Sequence, residues 1–135
     1  MHKGSENIKL TEGIAVAATY RTAGAANSAA VDMAKYNNYA AVVHVAGATQ
    51  WQGALTVVVA EGTTSTQFST SYLATLTIAS GTTDTAQSVE VRAEEMSDGY
   101  RYLRHTITPA AGTGNLYDSV NARFNPRYLQ ASLPA

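Results

Sequence analysis

The sequence of 135 residues contains no cysteine, few charged residues (14%) and no long apolar run. The lack of cysteine excludes disulfide scaffolds, thiolate metal sites and cysteine nucleophiles. Nine basic residues stand against ten acidic ones, so no basic surface is expected for direct contact with nucleic acid or with a membrane. Weak repulsion between copies instead favours self-association.

The longest early apolar stretch, "IAVAA" after the polar start "MHKGSENIKLTEG", is too short for a signal core or a membrane span. We therefore expect no secretion signal and no membrane helix. A chain of this length has the usual size of one domain.

Short runs of β-branched and aromatic residues recur between Gly, Asn, Asp, Ser and Thr clusters. Several alternate with a period of two, as do Leu55, Val57 and Val59, and this pattern is typical of strands. The spacing predicts an all-β, single-domain antiparallel β-sandwich of about eight strands at residues 14–20, 28–33, 39–45, 54–60, 72–79, 88–92, 100–108 and 116–124. Residues 120, 122 and 124 are predicted to share one face of the last strand.

The connections fit this interpretation. Thr-rich loops are predicted at residues 61–67 and 80–87, and Asp98-Gly99 is a hairpin signal. The segment "VRAEEMSD" has room for one helical turn.

Both ends differ from the middle of the chain. Residues 1–13 are polar and are predicted to form an N-terminal arm, residues 14–124 the sandwich, and residues 125–135 a C-terminal arm. The C-terminal segment "NPRYLQASLPA" carries Arg127, Tyr128 and Leu129 without a strand or helix period. It either packs on its own domain or docks on a neighbouring molecule.

No residue pattern indicates catalysis. His44 and His105 have no carboxylate at metal-ligand spacing, so structural or surface roles are favoured for both. Glu94, Glu95 and Asp98 cluster at a turn, where carboxylates cap or contact a partner. Because the sequence also has no G-x-S-x-G or phosphate-binding loop, we expect no enzyme and no cofactor.

Two segments are candidate interfaces. In "GYRYLRH" the residues Tyr100, Tyr102 and Arg104 are predicted on one strand face, and Arg101, Leu103 and His105 on the other. Tyrosine beside arginine is a common interface pairing, although it also suits single-stranded nucleic acid. The loop "AGATQWQGA" places Trp51 between two glutamines, as a contact point, a sugar platform or a cap on the core.

The succession "VDMAKYNNYAAVVHVAG", "LTVVVAEG" and "DGYRYLRHTIT" resembles the small head decoration, or cement, proteins of tailed bacteriophages. The resemblance extends over residues 31–124 and does not include the C-terminal segment. It implies a β-sandwich, often of the jelly-roll type, on the outer surface of the virion capsid after synthesis in the host cytoplasm.

The resemblance also implies a homotrimer that binds the major capsid protein and stabilises its lattice. The matching residues Asp32, Met33, Tyr36, Tyr102 and Leu103 would be framework, and Arg104 would contact a partner. Another virion component of the tail, neck or head fibre is the alternative, as is a carbohydrate-binding sandwich that uses Trp51 and the tyrosines.

Overall fold

A computed structural model describes residues 8–15, 24–45, 54–79, 85–110 and 117–126. Its nine strands are β1 (Ile8–Ile14), β2 (Ala26–Asn27), β3 (Val31–Asp32), β4 (Tyr36–Val45), β5 (Leu55–Gly62), β6 (Phe68–Ile78), β7 (Thr85–Arg92), β8 (Tyr102–Pro109) and β9 (Asp118–Pro126). Two single 3₁₀ turns, Met33–Lys35 and Ala93–Glu95, complete the secondary structure of these ranges. The second is the turn predicted within residues 91–98.

The strands form two antiparallel sheets. The four-stranded sheet has the order β1-β9-β4-β7, and the five-stranded sheet has the order β2-β8-β5-β6, with β3 also paired to β8. Since β2 and β3 pair with the same strand, they act as one interrupted strand. The late strands β9 and β8 each lie between two early ones, which is the arrangement of a jelly roll. The predicted all-β sandwich is confirmed.

The core lies between the sheets and is organised by the alternation in β5. Leu55, Val57 and Val59 are completely buried, and their side chains all point inward, as predicted. Leu55 and Val57 pack in one apolar cluster with Ile14, Val43, Ile78, Ile107 and Tyr117. Val59 packs in a second cluster with Val31, Met33, Tyr39, Ala41, Val91 and Leu103.

The predicted boundary of the N-terminal arm at residue 13 is wrong. Ile8–Ile14 is an edge strand paired with β9, so part of this polar segment belongs to the sandwich. The strand predicted at residues 14–20 and the rest of the arm lie almost entirely outside the described residues. Strand β1 forms because its backbone pairs with β9, although its sequence is mostly polar.

Other boundaries differ by a few residues. The strand predicted at 28–33 is divided into β2 and β3, and β7 begins at Thr85, inside the loop predicted for residues 80–87. Asn125 and Pro126 were predicted to start the C-terminal arm, but both belong to β9, and Pro126 pairs with Tyr36 of β4. Residues 127–135 lie outside the described ranges.

Candidate functional site

Strand β9 directs polar side chains into the sandwich. Ser119, Asn121 and Arg123 are buried, whereas Val120 and Phe124 on the other face are partly exposed. The prediction that residues 120, 122 and 124 share a face is confirmed, but that face is the outer one. The interior therefore receives three polar groups that need partners.

A chain of hydrogen bonds supplies partners for Ser119 and for the Oδ1 atom of Asn121. The Tyr39 hydroxyl donates to Asn121 Oδ1 over 2.7 Å and lies 2.7 Å from His105 Nδ1. His105 Nε2 lies 2.7 Å from Ser119 Oγ, which accepts the backbone N–H of Ile14 over 2.8 Å. The chain crosses the core from one sheet to the other, so it fixes their relative position.

The direction of each bond follows from the tyrosine proton. Because the Tyr39 hydroxyl donates to Asn121, His105 must donate from Nδ1 to the Tyr39 oxygen and accept at Nε2 from Ser119. This is a neutral imidazole. Burial lowers the pKa of His105 to about 4 and raises the pKa of Tyr39, so both groups stay uncharged near neutral pH.

Gly13 lets β1 approach this chain closely. A Cβ at this position would lie 2.7 Å from Ser119 Oγ and 2.8 Å from His105 Cε1, where no side chain fits. The pairing of β1 with β9 also shifts its register between Glu12 and Ile14. The glycine at this irregularity therefore explains how the edge strand closes over the polar core.

Arg123 is the most unusual member of the inner face, with 6% of its surface exposed. Its Nη2 donates to Thr11 Oγ1 over 2.9 Å, and its guanidinium lies 5.8 Å from the centroid of the Tyr36 ring. Nε and Nη1 have no hydrogen-bond partner within the described ranges. The inner face of β9 thus holds a charge that is only partly compensated.

The reversal of β9 leaves apolar side chains outside. We define the apolar face as the outward side chains of β1, β9 and β4: Ile8, Leu10, Ala40, Val42, Val120, Ala122 and Phe124. Leu10, Ala122 and Ala40 lie in one row across the three strands, and Ile8 lies beside Phe124 in the adjacent row. Leu10 is 62% exposed, whereas Ala122 and Ala40 are 2% and 6% exposed, so the face is open at its β1 edge.

Polar groups surround the apolar face. Glu90 and Arg92 flank it on β7, and Glu12 lies beside Val120 on β1. At one end His44 lies 3.3 Å from Asp118. A contiguous apolar patch with a charged rim is typical of a surface that binds another protein.

The predicted aromatic and basic segment is divided between two environments. Arg101 precedes β8 and is exposed, so its predicted place beside Leu103 and His105 is wrong. Its Nε and Nη2 donate to the two carboxylate oxygens of Asp32 over 2.8 and 2.6 Å. The Arg101 guanidinium holds the pKa of Asp32 below its usual value, and the pair ties β8 to β3.

Tyr102 and Arg104 do lie on the outer face of β8, while Leu103 and His105 are buried on the inner face, as predicted. The Arg104 guanidinium lies 4.2 Å from the centroid of the Phe68 ring. This contact replaces the carboxylate or carbonyl partner that the sequence suggested for Arg104. It holds the arginine against the five-stranded sheet.

Tyr100 lies apart from these residues. It lines a cavity of about 280 Å³ together with Met33, Ala93, Met96 and Arg101. Met33 and Tyr36 are buried, consistent with the framework role implied for them. The remaining interface candidates, Trp51, Arg127, Tyr128 and Leu129, lie outside the described residues.

The carboxylates at the second 3₁₀ turn have local roles. Glu95 accepts the backbone N–H of Arg92 over 2.6 Å, and Glu94 lies 3.6 Å from the Arg92 guanidinium. Glu61, at the end of β5, accepts hydrogen bonds from Ser97 N and Oγ over 2.8 and 2.7 Å. Within the described ranges, no three His, Cys, Asp or Glu side chains are placed to hold a metal ion.

Among the same residues no helix is long and apolar enough to cross a bilayer. No family model matches the chain, and no curated protein matches it.

The fold is similar to a solved structure from work described as "Bacillus endospore appendages form a novel family of disulfide-linked pili". The TM-score is 0.51 at 19% sequence identity, and the match covers 93% of this chain and 95% of that one. At this identity the likeness concerns the fold. The present sequence has no cysteine, so it cannot form the cross-links for which those pili are named.

Proposed function

We propose that this protein is a non-catalytic structural subunit that associates with copies of itself through the apolar face. The observation that carries the proposal is the reversed β9, which places Val120 and Phe124 outside beside Leu10 and Val42 while polar groups fill the core. A strand with the opposite orientation would bury its apolar residues. In β9, Val120 and Phe124 instead remain partly exposed on the outer face.

The energetics favour a rigid, multivalent part. Burial of apolar surface contributes about 25 cal/mol per Å², so a face of several side chains supplies substantial association energy. A domain that binds only the assembled state stabilises that state by mass action. Several copies that engage one lattice add the benefit of multivalency, even where each contact is modest.

The specific assembly we propose is the head of a tailed bacteriophage. There the subunit would decorate the outer surface of the capsid as a homotrimer and bind across seams between major capsid proteins. The resemblance over residues 31–124 and the jelly-roll order of the strands support this proposal. The low charge, −1 overall, is also suited to a protein partner rather than to the packaged DNA.

A subunit of an extracellular filament is the second candidate, because the fold is similar to that of a pilus protein over nearly the full length of both chains. Such a filament would be held by non-covalent contacts in the absence of cysteine. The two candidates differ in symmetry: a trimer is closed, whereas a filament requires an open head-to-tail contact.

Electron microscopy of the purified chain, alone and mixed with heads assembled from the capsid protein of the same genome, tests both. Regular copies on the head surface support decoration, and fibres of the chain alone support the filament. A variant carrying Leu10→Asp should bind neither heads nor itself. Particles that remain single at high concentration and leave heads bare would contradict both candidates.

A further inference from the structure

The outer face of the five-stranded sheet, opposite the apolar face, carries a groove of about 590 Å³. This volume is within the range of roughly 300–1,000 Å³ that is common for small-molecule sites. Its lining includes Thr56, Phe68, Tyr72, Arg104, Thr106 and Thr108. The chemistry of these residues differs from that of the apolar face.

The groove contains two aromatic rings. Tyr72 is 56% exposed, more than any other aromatic side chain in the described ranges. Phe68 is partly exposed beneath Arg104. An exposed ring at a groove offers a flat surface to the C–H groups of a pyranose, and its hydroxyl remains available for hydrogen bonds.

The rest of the lining combines hydroxyl groups with small apolar side chains and one charge; the hydroxyls belong to Thr56, Ser69, Thr70, Thr106 and Thr108, and the apolar side chains to Ala25, Val58 and Ala60. Thr106 Oγ1 donates to Asn27 Oδ1 over 2.7 Å, so its oxygen still has acceptor capacity. Among the described residues that line the groove, Arg104 is the single charged one, and none is a carboxylate. An occupant with hydroxyl groups and a negative charge is therefore complementary.

Stacking on Phe68 fixes the position of the Arg104 guanidinium before a ligand binds. The Phe68 ring at 4.2 Å covers one side of the guanidinium, and Arg104 Nε is buried without a hydrogen-bond partner within the described ranges. The arginine is thus held in place by an apolar contact rather than neutralised by an acid. A guanidinium held in this way loses little conformational entropy when it pairs with a carboxylate.

We propose that this groove binds an acidic oligosaccharide. A sugar ring stacks on Tyr72, its carboxylate pairs with Arg104, and neighbouring hydroxyl groups bond to Thr106 and Thr108. A purely apolar partner is less suited to this groove, because Ser and Thr hydroxyls and the Arg104 guanidinium interrupt its apolar lining. The binding is independent of self-association, since the two surfaces lie on opposite sheets.

The test is a glycan array that displays uronate- and sialate-containing oligosaccharides beside their neutral counterparts, probed with the full chain. Signals should be confined to carboxylate-bearing glycans. Calorimetry with the strongest of these should show at least tenfold weaker binding for its carboxyl-reduced form, for Tyr72→Ala and for Arg104→Gln. Lys35→Gln, an exposed cation in the first 3₁₀ turn and outside both surfaces, is the control and should bind as the unmodified chain does.

Tyr72 is exposed, so Tyr72→Ala should keep the unfolding temperature of the unmodified chain and remain interpretable. An array without acidic-glycan signals would overturn the proposal, as would binding that Tyr72→Ala and Arg104→Gln leave unchanged. Loss of self-association in Tyr72→Ala would also overturn it, because the groove would then be occupied by another copy of the chain.

Discussion

Strands β5 and β9 alternate equally well in sequence, yet they face the core in opposite ways. In β5 the apolar set, Leu55, Val57 and Val59, is buried. In β9 the inward set is Ser119, Asn121 and Arg123, while the apolar set points outward, with Val120 and Phe124 partly exposed and Ala122 buried between its neighbours. The second sheet, of four strands, also buries apolar residues of β4 and β7, but its strand β9 turns its apolar residues outward. The outer surface of that second sheet is where we place function.

The polar interior of β9 is possible because partners come from distant strands. Tyr39 lies 82 positions from Asn121 in the chain, and His105 lies 66 positions from Tyr39. A buried polar group costs stability without such partners, but a bonded chain of them fixes one arrangement of the sheets. This difference between β5 and β9 can be tested in the apolar core, in the buried chain of hydrogen bonds and on the outer surface.

The largest effect should come from a matched pair of leucines. Leu55→Ala removes a fully buried side chain from β5 and should lower the free energy of unfolding by about 3–5 kcal/mol. Leu10→Ala, on the exposed side of β1, should lower it by less than about 0.5 kcal/mol. Urea unfolding of both variants, measured at a concentration where the chain is monomeric, checks the difference. Equal losses would show that the two leucines have similar environments.

Acid should weaken the fold through His105. Its pKa is about 4 when folded against an ordinary 6.5, so between these values the unfolded chain holds a proton that the folded chain does not. Stability should therefore fall as the pH drops from 6.5 to 4, by about 3 kcal/mol over the full interval. Urea unfolding across this range gives the slope.

The control for this acid effect is His105→Gln, which cannot titrate and should lose the His105 part of the slope whatever its absolute stability. Asp32 contributes little to the change in stability over the same interval, because its pKa is lowered from the ordinary 3.8 and most of its effect is lost below pH 4. If His105→Gln keeps the same dependence of stability on pH, His105 does not cause the loss of stability in acid.

Tyr39→Phe should have a smaller but clear effect. It removes one hydroxyl and leaves Asn121 Oδ1 and His105 Nδ1 without their partner, which should cost about 1–3 kcal/mol. Tyr72→Phe removes the same group from an exposed ring and should be nearly neutral. Thermal or urea unfolding of the two variants compares them directly; a neutral Tyr39→Phe would mean that the polar chain does not stabilise the sandwich.

Much of the fold can be predicted from the sequence, since the alternation of β5 and the Thr-rich connections specify strands locally. Strand β1 was missed because its segment, "IKLTEGI", has only two apolar residues in alternation, Ile8 and Leu10, before the glycine. That alternation was the signal available. The direction of β9 could not be predicted, because it depends on Tyr39 and His105, whose positions only the assembled sandwich defines.

The candidate site was predicted only in part. Tyr102 and Arg104 share the outer face of β8, as the pattern indicates, but Arg104 stacks on Phe68, which lies 36 positions earlier on another strand. Arg101 pairs instead with Asp32, 69 positions away. A sequence pattern predicts which side chains share one face of a strand. The order of the strands in the sheet determines which residues lie beside them.

The most direct test of the account is sedimentation velocity of the unmodified chain and of Leu10→Asp over a wide range of concentration. The charge at the β1 edge of the apolar face should convert an associating protein into a 14.2 kDa monomer while the unfolding curve stays nearly unchanged. An unmodified chain that sediments as a monomer throughout, or a Leu10→Asp variant that associates equally well, would contradict the claim.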